Sequence, residues 1–239
     1  MPDLSALTMT EIIRLQNQLQ DELTRRFERQ LSLVFSDIVG STPYFARFGD
    51  AAGRQLQQLH FDLLGSCVSA AGGRIVDTAG DGAFCAFVNP ETAVRALIEL
   101  HQQIARNNAG RGRQHQLQVR LGLHWGSVLS DGSVVSGDAV NLCARVAASA
   151  DPGEIRLTRE AFMELGRLHR LECRALGTVA LKGLAAPVEL LALDWRDQAL
   201  FPRRCASTKP TSCSTCRSRT LSRSGAWPST MASAPTTWC

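Results

Sequence analysis

The chain has 239 residues, 44% of them hydrophobic and 20% charged, a balance that excludes a wholly disordered polymer and suits one or two globular domains. No apolar run approaches the roughly 20 residues of a membrane helix, and Met1-Pro2-Asp3-Leu4 is not the basic-then-apolar start of a signal peptide, so a cytoplasmic protein is expected. The formal charge of +4 rests on six cations, with no acid, in residues 203–239; without them the remaining chain stands at −2, which argues against a general nucleic-acid binder.

Residues 8–30 are expected to be helical. Thr8 and Glu11 have capping-box spacing, and Ile12, Leu15, Leu19, Leu23 and Phe27 recur every three or four residues. This single apolar stripe either docks on its own domain or pairs in a short coiled coil of a dimer. Leu31–Phe35 reads as a strand ending at Asp37. Gly40-Ser41-Thr42-Pro43 then opens a long helical region to about Ala71, broken near Gly49-Asp50. Arg74–Thr78 and Ala83–Val88 read as strands around the turn Ala79-Gly80-Asp81-Gly82. Asn89-Pro90 caps a helix to about Asn107, and Leu117–His124 alternates as a strand. The order is β-α-β-β-α-β, an α+β, ferredoxin-like arrangement.

Beyond it come a turn-rich stretch at Gly126–Gly137, a helix over Asp138–Ala150 and a strand at Glu154–Leu157. A helix over Arg159–Leu165 and strands near Thr178–Leu181 and Val188–Leu193 follow. Three parts result: an N-terminal helix (1–30), a core domain (31–195) and a Ser, Thr, Arg, Pro and Cys-rich tail (196–239) expected to be disordered. Cys67, Cys85, Cys143 and Cys173 stand singly in apolar segments and read as buried reduced thiols. Cys213 and Cys216 form a CxxC with no second pair at zinc spacing.

Asp37 and Asp81 stand out. In a β-α-β-β-α-β fold the first and third strands are antiparallel neighbours, so the end of one lies beside the start of the other. The two carboxylates therefore converge at one sheet edge. They fit a Mg²⁺ or Mn²⁺ site for a nucleoside triphosphate, or two turn aspartates each serving local hydrogen bonds.

Phe35-Ser36-Asp37-Ile38-Val39-Gly40-Ser41-Thr42, Gly80-Asp81-Gly82 and Gly137-Asp138-Ala139-Val140-Asn141-Leu142-Cys143-Ala144-Arg145 occur in that order. Together with Val119–Gly126 and Leu181-Lys182-Gly183 they resemble the catalytic domain of class III adenylate and guanylate cyclases over residues 31–195. The resemblance implies that Asp37 and Asp81, with the Ile38 carbonyl, hold two Mg²⁺ or Mn²⁺ ions per site. It implies that Gly40, Ser41 and Thr42 bind the β- and γ-phosphates at a helix start, and that Lys182 contacts the triphosphate. Asn141 would orient the ribose, and Arg145 would stabilise charge on the α-phosphate. The ribose 3′-hydroxyl would attack the α-phosphorus, releasing pyrophosphate and a 3′,5′-cyclic nucleotide. Because the family draws the aspartates and the Asn-Arg pair from different subunits, a homodimer is implied.

The base-reading positions depart from the adenylate cyclase pattern. Asp77 stands where Lys is usual, and Val134, or Ser133 if the loop shifts by one, stands where Asp or Thr is usual. A carboxylate accepts from the ring N–H of guanine or uracil and cannot donate to N1 of adenine. Arg74 is expected to point away from Asp77 by strand alternation. Three substrate readings stay open: ATP, GTP, or a pyrimidine triphosphate as in the uridylate and cytidylate cyclases of bacterial antiphage signalling. A catalytically silent dimerisation or regulatory module is the further alternative.

Overall fold

A computed structural model describes residues 7–196. Helix α1 (Met9–Phe27) starts with the expected capping box at Thr8 and Glu11. It runs into β1 (Glu28–Ile38) without a loop, so the helix is shorter and the strand longer than the sequence suggests. The reason is a partner strand: Glu28–Leu31 pair with Gly126–Leu129, and ladder bonds outweigh the local helical pattern. No residue of α1 is buried; Ile12, Leu19 and Leu23 are 47%, 58% and 45% exposed.

Helix α2 (Ser41–Ala70) follows, interrupted at Gly49, whose φ of 81° is left-handed. Strands β2 (Arg74–Ala79) and β3 (Gly82–Phe87) form a hairpin. Helix α3 (Pro90–Ala109) is capped as expected, the Asn89 side chain accepting from the Thr92 N–H at 2.9 Å. A 3₁₀ turn at Arg113–His115 leads to β4 (Val119–Ser130).

Strand β4 extends six residues past the expected end at His124, into the stretch read as turn-rich. Its glycines serve packing, not turning. A Cβ on Gly122 would lie 2.3 Å from the backbone nitrogen of Ala147, and one on Gly126 would lie 2.6 Å from the His124 ring. A two-residue β5 (Val135–Ser136) pairs back on β4. Then come α4 (Asp138–Ser149), β6 (Ile155–Thr158), α5 (Arg159–Met163), α6 (Arg167–Leu171), β7 (Cys173–Val179) and β8 (Val188–Leu193). Helix α6 and the early start of β7 are not foreseen from the sequence.

The strand order β2-β3-β1-β4-β6-β8-β7 contains the four-stranded antiparallel ferredoxin-like core, extended by a parallel β4–β6 step. Helices α2 and α3 cover one face, where Leu64, Val68, Leu97 and Leu100 meet Val34, Cys85, Leu121 and Leu123. On the other face Leu33, Phe84, Ala86 and Val128 meet Cys143 of α4. Cys67, Cys85 and Cys143 are buried free thiols, as expected, and Cys173 is half-buried; burial pushes Cys67 up to about 11 and Cys85 to about 12. Among the described residues no helix is long and apolar enough to cross a membrane. The expected tail, with Cys213 and Cys216, lies outside the described residues from residue 197 onward.

Candidate active site

Alternation along β1 sends Val34, Ser36 and Ile38 toward α2 and α3, and Leu33, Phe35 and Asp37 to the opposite face. The β1–β3 register pairs Ser36 with Ala83, which brings Asp37 level with Gly82, the residue after Asp81. The hairpin lies directly on β1: a Cβ on Gly82 would stand 3.3 Å from the Ser36 carbonyl and 3.8 Å from Asp37 Oδ1. Gly80, at φ 61°, closes the turn in the left-handed region. Both carboxylates are half-buried. Beyond the buried Ile38, Gly40 caps α2 at φ 72°, so Ser41 and Thr42 form its first turn, where backbone N–H groups lack helical partners. Pro43 falls third in the helix.

A cation already sits on Asp37. Arg120, its cross-strand partner on β4, donates to Asp37 Oδ2 from Nε at 2.8 Å and from Nη2 at 2.5 Å. The same guanidinium reaches the Ala148 carbonyl at the end of α4, 3.3 Å away. Sequence reasoning passed over Arg120. The signal was its place between Val119 and Leu121 in an alternating strand, but naming its partner requires the register of a strand 83 residues away.

Beside Asp37 opens a cavity of about 530 Å³. Phe35 and Phe84 stack on one side, with centroids 4.7 Å apart. Asp37, Asp77 and Val134 all line it. Asp77 is exposed, and its Oδ1 accepts from the Thr78 N–H at 2.8 Å. The loop carrying Val134 is tied by Asp131, whose Oδ1 accepts from the N–H groups of Ser133 and Val134, each at 2.8 Å. These bonds, with one from the Ser133 hydroxyl, hold the Asp131 carboxyl down at about 2.

The expectation for Arg74 is corrected here. The β2–β3 register shifts between Ile75 and Asp77, so adjacent Val76 and Asp77 both line the cavity. A bulge breaks the alternation on which that expectation rested. Arg74 instead donates to the Ser133 carbonyl at 3.0 Å and braces the cavity-lining loop.

Asn141 and Arg145 are four apart on α4 and both exposed. Val140 and Ala144, one residue earlier on each turn, line the cavity, while Cys143, Val146 and Ala147 seat the helix on the sheet. Lys182 is exposed in the β7–β8 loop. Its neighbour Leu181 packs against Val146, which sets the loop beside α4. Asp37, the Asp81 hairpin, Asp77 and Val134 thus gather at one corner. Asn141, Arg145 and Lys182 are outward-facing and are not among the residues lining that cavity. Among the described residues no group of three or more His, Cys, Asp or Glu comes together.

Residues 24–193 match the family model for the adenylate and guanylate cyclase catalytic domain. A putative adenylate cyclase of Rhizobium meliloti is 24% identical over 182 residues, 76% of this chain and 31% of that protein. An uncharacterised protein of Mycobacterium tuberculosis is 37% identical over 137 residues, 56% of this chain and 34% of that one. The chain spans about a third of the length of these curated relatives. The solved structure of an adenylate/guanylate cyclase/hydrolase from Silicibacter pomeroyi superposes with a TM-score of 0.62 at 24% identity, over 70% of this chain and 96% of that one.

Proposed function

The chain belongs to the family of class III adenylate and guanylate cyclase catalytic domains, and from that premise we propose that it converts a nucleoside triphosphate to a 3′,5′-cyclic nucleotide and pyrophosphate at a site completed by a second copy of itself. The observation that carries the reading is the β1–β3 register, which levels Asp37 with the hairpin of Asp81 at the mouth of a nucleotide-sized cavity. Two adjacent carboxylates and the Ile38 carbonyl are hard oxygen donors, the chemistry that Mg²⁺ and Mn²⁺ prefer. Their small number leaves coordination positions for triphosphate oxygens. When bound, the two ions would supply charge neutralisation and acidity at the ribose 3′-hydroxyl.

The chain's own groups do the positioning. The first-turn N–H groups after Gly40 receive the β- and γ-phosphates, and Lys182 adds charge to the triphosphate. Arg145 stabilises charge growing at the α-phosphate, and Asn141 orients the ribose. Both project outward from α4, which supports their serving a neighbouring subunit's carboxylates. The exposed apolar stripe of α1 supports a coiled-coil contribution to that dimer over docking on its own domain. Asp77 and Val134 line the cavity and read the base. An accepting carboxylate there favours guanine or uracil over adenine.

A silent module is the second reading, favoured by the Asp37–Arg120 pair, which occupies a carboxylate that catalysis needs. Incubation with each of the four nucleoside triphosphates and Mn²⁺, followed by chromatography, decides between them. A cyclic nucleotide from any one supports the cyclase, and none from all four supports the silent module.

A further inference from the structure

Directly beneath the carboxylate corner lies a histidine that no step above uses. His60, in the middle of α2, is fully buried, and so is Ser36, the residue before Asp37. Ser36 Oγ and His60 Nε2 are 2.7 Å apart. The other ring nitrogen, Nδ1, is buried and makes no well-aligned hydrogen bond, although the Asp81 backbone lies within its reach, with the Asp81 carboxylate nearby. A neutral imidazole carries one proton, on either nitrogen. With that proton on Nδ1, Nε2 accepts from the Ser36 hydroxyl and the N–H faces the Asp81 turn. One helical turn earlier, the Gln57 side chain donates to the Gly80 carbonyl in the same hairpin. One face of α2 thus touches both carriers of the carboxylates: β1 through Ser36, and the hairpin through Gln57 and His60.

We propose that His60 is a positioning residue that sets the separation of the Asp37 and Asp81 carboxylates, bracing Ser36 through Nε2 and offering its Nδ1–H to the Asp81 turn. A buried polar atom without a well-aligned partner is costly, and closure of the hairpin around a cation pair would give it one. The inference rests on the reading of Asp37 and Asp81 as cation ligands. Groups that orient first ligands typically change metal affinity or activity by about 10–100-fold when lost.

The test uses the full chain with Mn²⁺ and a 3′-deoxynucleoside triphosphate, which binds without reacting; the adenine and guanine forms are run separately. Free Mn²⁺ is followed by electron paramagnetic resonance, and melting temperature is recorded in parallel. His60→Phe keeps a ring and loses both nitrogens, and Ser36→Ala removes only the hydroxyl. Both should raise half-saturating Mn²⁺ roughly 10-fold. Leu64→Ala, one turn further along α2 and fully buried, should lower the melting temperature at least as much and leave Mn²⁺ binding unchanged. The proposal is overturned if His60→Phe and Ser36→Ala bind Mn²⁺ like the parent while Asp37→Ala does not. It is equally overturned if Leu64→Ala shifts Mn²⁺ binding as far as they do. Parent-like Mn²⁺ binding by Asp37→Ala would instead remove the cation reading itself, and the proposal with it.

Discussion

The carboxylate corner and the outward face of α4 differ in how much of their geometry a single chain fixes. At the corner every element is held from several sides. Asp37 is gripped by Arg120, Gly82 lies against β1, and α2 presses from below through Gln57 and His60. On α4 the buried side of the helix is just as firmly seated, yet Asn141 and Arg145 point to solvent. One region is braced internally, and the other presents its functional groups outward. In the proposed cyclase, that asymmetry is what a shared site requires of each subunit.

The comparison breaks most visibly at the corner. Asp37→Ala or Asp81→Ala should abolish turnover in Mn²⁺ while leaving the oligomeric state unchanged, because each removes one of the two carboxylates proposed to hold the cations. Product formation and size-exclusion chromatography check it, and a near-parental rate in either variant removes the assignment. On the α4 face, Arg145→Ala should cost about 10²–10³ in kcat. Mixing it with Asp37→Ala should recover roughly a quarter of parental activity, since half of randomly paired dimers are mixed and each has one intact site. Absence of recovery, with mixed dimers demonstrated, would show that the two regions serve the same chain.

The seat of α4 offers a finer probe. Gly122→Ala would drive a methyl into the backbone at Ala147, and relief of such overpacking typically costs about 1–3 kcal/mol. Denaturant unfolding should show that loss, with activity falling further than Asp37-dependent Mn²⁺ binding, because the displaced helix carries Arg145 and not the carboxylates. The smallest effect concerns the cavity between the regions. Asp77→Lys should shift relative kcat/KM toward ATP by roughly 5- to 30-fold, the worth of one buried hydrogen bond. Unchanged ratios among the nucleotides would show that Asp77 does not read the base.

Legibility in the sequence follows the range of the interaction responsible. Thr8 and Asn89 announce their helices because a cap is satisfied within three residues. The meeting of Asp37 with the Asp81 hairpin follows from strand order alone, since antiparallel neighbours bring those ends together. The full length of β4 was hidden because Gly126 read as the start of a turn-rich stretch, when it makes room for the His124 ring. The bulge at Val76 and the reach of Arg74 were hidden for a related reason: alternation is a local rule, and the register shift is decided by the partner strand. Arg120 and His60 were missed as participants because each acquires its meaning from residues distant in the chain.

The placement of β1 has a consequence for how the protein comes into being. Its neighbours are β3 and β4, both far downstream, and Asp37 meets Arg120 across 83 residues. Pairings of such long range close late and slow the search for the native state. A nascent chain made N-terminus first exposes α1 and β1 before either neighbouring strand exists. Asp37 therefore gains its Arg120 partner only after β4 has been made, and a fragment ending before β4 would hold both aspartates without the cation that grips one of them.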